Sequence, residues 1–448
     1  MARLSFIFSF LLLVAARTTP QSAPASDVPE LTLTQAIAEA QQNNRLIKIS
    51  DQGVLYANDA ILAARTQRYP QFNVQLIGSY LPTAITIEIP KGSLGNIGGT
   101  NVPNPAENSV ITTDPKFSGL AFIQVFQPLS KLYDAHLNVE LLKVGKKLSQ
   151  EQLRQQRQQT TDSVKGAYYS LLQTQSALDA AEENLKALRE VDRTTEQYVK
   201  EKTALQYQST GVKVQLAQAE LQIVTLQDAL QTQKENLNNL MGRDIRSEFR
   251  ISAVPEELPE EQNLEAARRT ALENRTEIRQ AQFKIDQAVF SRRLQKAQYI
   301  PEISGHYMYF SPFTITGFPQ NVNSIGFSLK WDVFDWGYKR HLLDEKDRTI
   351  EQSRLSLTET QSQVVLDLDN RFRKLREARA QVKVAQLAQQ AEKEKLQVVL
   401  EQYKQKAALL GALQTEQANF AQTAAQYQQA LSNFWTARSD FEKSLGED

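Results

Sequence analysis

The side chains that most often carry out catalysis or bind metals are scarce in this sequence. Its 448 residues contain no cysteine and only three histidines, His136, His306 and His341. None of the three lies in an HExxH-like spacing, so the pattern indicates neither a histidine-based zinc site nor a triad. Without cysteine, disulfides, thiol nucleophiles and thiolate-bound metals are excluded. We expect no cofactor.

Carboxylate pairs are the other residues whose spacing could support acid–base chemistry. Glu182–Glu183 and Glu256–Glu257 are adjacent, on a predicted helix face and in a polar belt. We find no G-x-S-x-G, P-loop or glycine-rich dinucleotide pattern, so the chain is not expected to be an enzyme. Acidic and basic residues number 51 each. This balance lacks the excess of basic residues that a nucleic-acid partner requires.

The first residues have the pattern of a secretory signal peptide. Arg3 supplies a positive charge, Leu4 to Ala16 form an apolar stretch, and small residues follow up to position 26. The stretch is shorter than a membrane-spanning helix needs to be. We therefore predict a signal peptide over 1–26, with an uncleaved anchor as the alternative.

The chain contains an internal repeat. Residues 33–70 align with 264–301 without a gap, and each copy is predicted to form one helix, 34–69 or 265–300, ended by proline. Thr32 and Gln35 fit a capping box. The identical pairs are Leu33/Leu264, Ala36/Ala267, Ala40/Ala271, Asn43/Asn274, Ile47/Ile278, Ala57/Ala288, Gln67/Gln298 and Pro70/Pro301.

Two proline-free stretches follow the repeated helices and have apolar residues at helical spacing. We predict helical hairpins over 131–240 and 339–445, turning near 202 and 406. The resulting divisions are a first repeat 31–242, a linker 243–263 and a second repeat 264–448, and the family resemblance described below implies an equatorial position for the linker.

Four shorter runs, 71–81, 117–127, 302–311 and 323–334, have strand character. In the fourth run a large apolar side alternates with a polar side that includes Lys330 and Asp332. Such a strand covers a protein core or lies in a barrel between lipid and water, and secretion favours the barrel. The predicted lipid-facing residues are Ile325, Phe327, Leu329, Trp331 and Val333, and Lys330 and Asp332 are candidates for the barrel lumen.

Four strands cannot close a membrane barrel, whose smallest kind has eight, and open sheet edges are not tolerated in lipid. The chain would have to share its strands with other copies. Two, three or four copies all satisfy this arithmetic.

The order of these features resembles the TolC-type outer-membrane efflux protein family across residues 31–446. The resemblance is carried by the L-x-x-A-x-x-x-A-x-x-x-N helix, the YP and IP breaks, VFDWG, and LMG and SLG closing the halves. It implies a mostly α fold with a β-barrel portion, in which four strands per chain form a shared twelve-stranded barrel in a homotrimer. Long antiparallel coiled-coil helices would form a periplasmic α-barrel.

The resemblance also implies a location and partners. The protein would lie in the outer-membrane lipid of a diderm bacterium and extend into the periplasm. There it would serve as the passive exit duct for a periplasmic adaptor and an inner-membrane pump. Expected adaptor contacts at the hairpin tips are Thr203, Ala204, Leu205, Ala407, Ala408 and Leu409.

The periplasmic mouth departs from the family pattern. Aspartates narrow the mouth in well-known members, but the corresponding residues here are Ala412 and Thr415, with Gln208 and Gly211 in the first repeat. Glu416 is adjacent, and it points elsewhere because one helical residue is a 100° rotation. We therefore expect weak block by multivalent cations. Whether Leu409, Leu410 and Leu413 narrow the mouth or pack between helices stays open.

Other residues have structural interpretations. His136 and His341 recur in matching YxxHL contexts, which favours packing below the barrel, and Trp435 is expected to pack between helices. Trp331 and Trp336 are candidates for an interfacial girdle. Two other functions remain: a periplasmic coiled-coil scaffold or adaptor without a pore, and an envelope enzyme. The scaffold predicts no membrane strands, and the enzyme requires convergent catalytic side chains.

Overall fold

The computed structural model describes residues 29–113, 116–202, 205–252, 258–259, 263–312, 321–405 and 407–446. The predicted signal peptide and the tip residues Thr203 and Ala204 lie outside these ranges. None of the described helices combines the length and hydropathy that crossing a bilayer requires.

The chain forms eight strands and eight helices within the described residues, in two halves of similar layout. The first half comprises β1 (Glu30–Leu31), α1 (Leu33–Asn43), α2 (Arg45–Thr66), β2 (Gln71–Leu81), β3 (Ile85–Ile89), β4 (Ser109–Thr113), β5 (Lys116–Pro128), α3 (Lys131–Lys200) and α4 (Gln206–Met241). The second comprises β6 (Arg250–Ile251), α5 (Leu264–Asn274), α6 (Thr276–Ala297), β7 (Glu302–Pro312), β8 (Val322–Lys330), α7 (Tyr338–Lys404) and α8 (Leu410–Ser444).

The two halves correspond helix by helix. α1 and α5 have 11 residues each, and α2 and α6 have 22 each. α3 and α7 have 70 and 67 residues, so each is about 100 Å long at 1.5 Å per residue. Each then turns back into a helix of about half that length, 36 residues in α4 and 35 in α8.

The single helices predicted at 34–69 and 265–300 are each two helices, which corrects those boundaries. Asn44 separates α1 from α2 with a ψ of 131°, and Arg275 separates α5 from α6 with a ψ of 132°. Neither residue is a glycine or proline that would mark a break in the sequence. The predicted capping box at the start of α1 is present, with Thr32 and Gln35 as its two members.

The first break is held by the side chain of Asn44. Its amide oxygen accepts hydrogen bonds from the backbone N–H groups of Leu46 and Ile47, at 2.8 and 3.3 Å. Its amide nitrogen donates to the carbonyl of Leu240 at the end of α4, at 2.8 Å. Asn44 therefore caps α2 and also joins it to the end of the first hairpin.

The glycines that end the two hairpins pack against the two breaks. Gly242 follows α4 with a φ of +75°, and Gly446 lies just after α8 with a φ of +78°. An ideal Cβ on Gly446 would lie 2.9 Å from the backbone nitrogen of Arg275. The LMG and SLG segments are thus positions where two backbones approach too closely for a side chain.

Helix seams and a small equatorial sheet form the buried core. α3 packs against α2, α4, α6 and α8, while α7 packs against α6 and α8. β1 and β6 pair in parallel beside the seam of the first half. The hydroxyl of the buried Tyr168 donates to this region, 3.0 Å from the carbonyl of Leu31 and 2.9 Å from that of Ser252.

The larger sheet is antiparallel and has the strand order β2-β5-β7-β8. β3 and β4 form a separate two-stranded ribbon between β2 and β5, which the sequence analysis did not predict. Between them, residues 90–108 turn tightly through left-handed glycines such as Gly92 and Gly95.

Candidate functional site

One face of the four-stranded sheet is apolar and exposed on all four strands. Directly opposite residues of an antiparallel sheet share a face, and one such row joins Phe72, Val125, Tyr307 and Ile325. Phe72 is 75% exposed and Ile325 is 83% exposed. An exposed apolar surface that continues across four strands marks contact with a membrane or with another protein.

The opposite face of the sheet is more polar. One of its rows joins Asn73, Gln124, Met308 and Ser324. Lys330 lies on this face at the helical end of the sheet, opposite Glu302. The five predicted lipid-facing residues are all exposed, and those within β8 (Ile325, Phe327 and Leu329) lie on the apolar face.

The predicted strand 323–334 ends at Lys330, so Trp331, Asp332 and Val333 lie beyond it. β7 starts at Glu302 directly after Pro301, and within the described residues β8 has no strand partner beyond that point. The carboxylate of Asp332 lies 3.7 Å from Lys339 Nζ, at the junction with α7. Asp332 is therefore an ion-pair residue at the base of the sheet in this single chain.

The VFDWG motif forms the turn from the sheet into α7. Trp336 and Gly337 have φ values of +55° and +83°. The Asp335 carboxylate accepts hydrogen bonds from the N–H groups of Gly337 and Lys339, both at 3.0 Å. Trp336 is 88% exposed, with its ring centroid 4.8 Å from that of Phe334. The turn thus holds exposed aromatic rings at the base of the sheet, where an interfacial girdle was predicted.

The two outer strands of the sheet each leave one edge free. Within the described residues, β2 pairs only with β5 and β8 pairs only with β7. An open edge presents unpaired backbone N–H and C=O groups that can pair with another strand.

The turns of the two long hairpins expose small and apolar residues at the opposite end of the molecule. Leu205 precedes α4 and is 64% exposed, and Leu409 precedes α8 and is 82% exposed. Ala407 is exposed and Ala408 is half-buried. These exposed groups provide a surface on which a partner helix could dock.

The residues predicted at the mouth have different environments. Leu413 is buried and therefore packs between helices, whereas Ala412, Thr415 and Gly211 are exposed. Gln208 uses its amide oxygen to accept a hydrogen bond from Leu205 N at 3.2 Å, which caps α4. Leu410 is the first residue of α8.

Glu416 faces another helix and is neutralised there. One carboxylate oxygen lies 2.8 Å from Lys395 Nζ on α7. The hydrogen bond from Lys395 lowers the pKa of the Glu416 carboxyl below its usual value, and Asn419 adds a further hydrogen bond at 3.4 Å. Lys395 was missed by the sequence analysis, because its pairing across the α7–α8 turn depends on the helix register.

A groove rich in amide side chains lies between the first hairpin and the start of α8. It is lined by Gln215, Gln218 and Gln222 from α4 and by Gln414 and Gln417 from α8, among others. Among the mouth candidates predicted from the sequence, Thr415 lines this groove.

Trp435 has the structural surroundings expected of a packing residue, whereas His136 and His341 are exposed in this chain. His136 Nδ1 lies 3.3 Å from a guanidinium nitrogen of Arg68 below the sheet. The ring of Trp435 packs against Phe434 and Tyr169, with centroids 5.6 and 6.3 Å apart. Burial raises the pKa of Tyr169 to about 12. Among the described residues, no three His, Asp or Glu side chains form a metal-binding group.

Comparison with known proteins confirms the resemblance inferred from the sequence. Residues 267–447, less than half of the chain, match the family described as outer membrane efflux protein. No curated protein matches the sequence significantly.

Solved channel structures share the fold. The Campylobacter jejuni CmeC outer membrane channel has a TM-score of 0.75 at 15% identity, covering 92% of this chain and 85% of that one. The Vibrio cholerae outer membrane protein VceC has a TM-score of 0.69 at 14% identity, and the match covers 92% of this chain and 96% of VceC. The open-state Neisseria gonorrhoeae MtrE outer membrane channel has a TM-score of 0.69 at 16% identity, and the match covers 96% of this chain and 93% of MtrE. The family and these structures are of outer-membrane proteins, in agreement with the predicted localisation.

Proposed function

We propose that this chain, whose residues 267–447 match the outer membrane efflux protein family, forms a homotrimeric outer-membrane channel. In this trimer, twelve strands form one β-barrel and the helices continue it into the periplasm. The observation that carries the proposal is a four-stranded sheet with one exposed apolar face and, among the described residues, two open edges.

The internal repeat suggests how the sheet closes. Within the chain, β5 of the first repeat pairs with β7 of the second. By equivalence, β8 would pair with β2 of the next copy. The pair Gln71–Phe126 corresponds to the pair Glu302–Lys330 at the same end of each hairpin, and the proposed register follows from this correspondence.

The register obtained in this way joins apolar residues to apolar residues. Within the chain, Val125 of β5 lies opposite Tyr307 of β7. The equivalent residues in the other repeat are Leu329 of β8 and Leu76 of β2, so Leu329 would lie opposite Leu76 of the next copy. Trp331 would lie opposite Val74, and this pairing would extend β8 beyond Lys330. The predicted strand 323–334 would therefore be completed only in the assembly.

The same equivalence applies to the helices. α3 packs against α6 within the chain, so α7 would pack against α2 of the next copy. Both helices expose apolar residues that such a contact would cover, among them Ile49 on α2 and Leu366 on α7. The repeat alone permits several copy numbers, and we propose three because the family resemblance implies a homotrimer.

The channel would be the passive exit duct for an inner-membrane pump, joined to it by a periplasmic adaptor. The adaptor would dock on the exposed hairpin tips around Leu205 and Leu409. The mouth would be formed near Ala412, Thr415, Gln208 and Gly211. Leu205→Ser should reduce export by the assembled system and leave the conductance of the isolated pore unchanged, because Leu205 is exposed at the tip and is not among the residues proposed to form the mouth.

Cysteine cross-linking tests both the trimer and the register. The natural chain has no cysteine, so Leu76→Cys combined with Leu329→Cys introduces the only thiols. Oxidation in membranes should give covalent dimers and trimers, since directly opposite Cβ atoms lie about 4.5–5.5 Å apart. Leu76→Cys with Phe327→Cys is the matched control. Position 327 is two residues from 329, so the two residues would be diagonal neighbours about 7–8 Å apart, and cross-linking should be weaker.

Detergent-corrected light scattering and planar-bilayer conductance of the natural chain complete the test. A trimer with discrete pores supports the duct. A water-soluble monomer or dimer without pores would refute it, and the apolar face would then cover a protein surface in a periplasmic scaffold.

A further inference from the structure

A cavity of about 790 Å³ lies where α6 meets the base of the sheet. Arg293, Lys296 and Tyr299 line it from the end of α6 and the turn that follows, Tyr133 from the start of α3, and Leu343 from the start of α7. The lining therefore combines two cations, two phenol groups and apolar surface. No carboxylate among the described residues lines it.

The cavity lies on the side of the sheet that carries the apolar face. Pro301 lines it and precedes Ile303 by two extended residues, so the two residues share a side. Ile303 lies on the apolar face, in a row with Leu329. Backbone hydrogen bonds from the N–H groups of Leu129 and Ser130 to the carbonyl of Ile303 bring the start of α3 to the same place.

The two cations of this cavity are not neutralised within the described part of the chain. Arg293 lies over the ring of Phe290, 5.2 Å from its centroid, and no described carboxylate lies within salt-bridge distance of Arg293 or Lys296. The neighbouring Arg292, by contrast, is paired with Asp347 through two hydrogen bonds. The cavity therefore has a positive charge available for a ligand.

We propose that this cavity binds the phosphate of an anionic phospholipid in the periplasmic leaflet of the outer membrane. The guanidinium of Arg293 and the ammonium of Lys296 would bind the phosphate oxygens, and Leu343 and Ile300 would contact the start of an acyl chain. Tyr133 and Tyr299, each nearly half exposed, have the amphipathic character of side chains at the headgroup level. This site rests on the proposed membrane location of the sheet.

Lipid binding to the purified full-length protein tests the site. Phosphatidylglycerol would be titrated into the delipidated, detergent-solubilised protein, and bound lipids would be counted by native mass spectrometry. The variant Arg293→Gln with Lys296→Gln should bind at least about tenfold more weakly, because each cation contributes electrostatic attraction. Lys186→Gln with Arg193→Gln is the control: it removes the same charge from exposed positions far along α3.

Two further probes separate the possible ligands. Diacylglycerol with the same acyl chains should bind much more weakly than phosphatidylglycerol, and inorganic phosphate should not displace the lipid. The charge-conserving variant Arg293→Lys with Lys296→Arg should retain most of the binding, which shows that substitution at these two positions does not destroy the cavity. Equal binding by the charge variant and the natural chain would refute the proposal. Tight binding of diacylglycerol would show that the cavity recognises only apolar chains. Displacement of phosphatidylglycerol by inorganic phosphate would show that it recognises only the anion.

Conductance measured on the same preparations distinguishes failure of the lipid-site proposal from failure of the channel proposal. If the natural chain forms trimeric pores and the charge variant binds phosphatidylglycerol normally, only the lipid site is wrong. If the natural chain forms no pores, the channel itself is wrong.

Discussion

An ideal Cβ atom on Gly242 would lie 2.4 Å from the carbonyl oxygen of Asn43. This contact joins the end of the first hairpin to the break between α1 and α2. Real Cβ atoms do not approach backbone oxygen this closely, and the φ of +75° independently favours glycine. The position therefore excludes side chains for two separate reasons.

Replacing this glycine tests the contact. Gly242→Ala should lower the free energy of unfolding by at least about 2 kcal/mol, since both backbone strain and a steric clash are introduced. Circular dichroism during thermal unfolding would measure the loss. Gly53→Ala is the control, because Gly53 lies within α2 with no atom within 4 Å of its ideal Cβ. That variant should be neutral or up to about 1 kcal/mol more stable, and equal effects of the two changes would contradict the packing argument.

The second break depends on Arg154 of α3. Its guanidinium donates to the carbonyl oxygens of Asn274 and Gly446, at 3.1 and 2.8 Å. Arg154→Met should cost about 1–3 kcal/mol, because two half-buried carbonyls lose a charged donor. Arg193→Met, at an exposed position, should change stability by less than about 0.5 kcal/mol in the same denaturant titration.

Stability should fall in acid through Asp367. Burial raises its pKa, but hydrogen bonds from Arg371 and Arg275, at 2.8 and 2.9 Å, outweigh burial and leave the pKa below its ordinary value. A depressed carboxyl pKa gives stability that is present above the pKa of the unfolded chain, about 4. It is lost as the pH falls through the folded pKa.

Asp367→Asn should therefore be less stable than the natural chain at pH 7, and the difference should shrink below pH 4. Thermal unfolding at several pH values would measure both chains. A difference that stays constant down to pH 3 would show that the charge of Asp367 has no role.

Multivalent cations should block the channel only weakly, because Ala412 and Thr415 carry no charge and Glu416 is paired with Lys395. Lys395→Gln should release the Glu416 carboxylate from α7 and strengthen the block at least about threefold, since the freed side chain, one residue from Thr415, would add negative charge near the mouth. Glu416→Gln in that background should restore weak block. Strong block of the natural channel that Glu416→Gln abolishes would contradict this assignment. Bilayer conductance with a trivalent cation makes each comparison.

The strand faces could be predicted from the sequence, because side chains in a strand alternate strictly between two faces. Ile325, Phe327 and Leu329 were placed on the apolar face by this alternation alone. The end of β8 could not be placed, since residues beyond Lys330 have no partner strand among the described residues of their own chain. The sequence shows the strand character of Trp331 and Val333, and the single chain shows that pairing stops before them.

The helix breaks could not be predicted for a different reason. Asn44 and Arg275 fit within a helical pattern, and the breaks depend on contacts with the ends of α4 and α8, about 200 and 170 residues further along the chain. The glycines of LMG and SLG were noticed as features of each half. Their role requires the approach of two backbones, which no local pattern encodes. The ion pair of Glu416 with Lys395 was missed because it depends on the register of two antiparallel helices.

The free edges of β2 and β8 affect how a newly folded copy behaves before it meets other copies. In the part of the chain that the structure describes, a folded single copy presents two unpaired strand edges and a wide apolar surface, which are the features that lead proteins to aggregate. Closure of the sheet by other copies, as proposed above, depends on protein concentration, and so does wrong pairing with unrelated strands. The yield of functional protein in the cell should therefore depend on the relative rates of these two processes. Slowing insertion or overproducing the chain should increase the aggregated fraction.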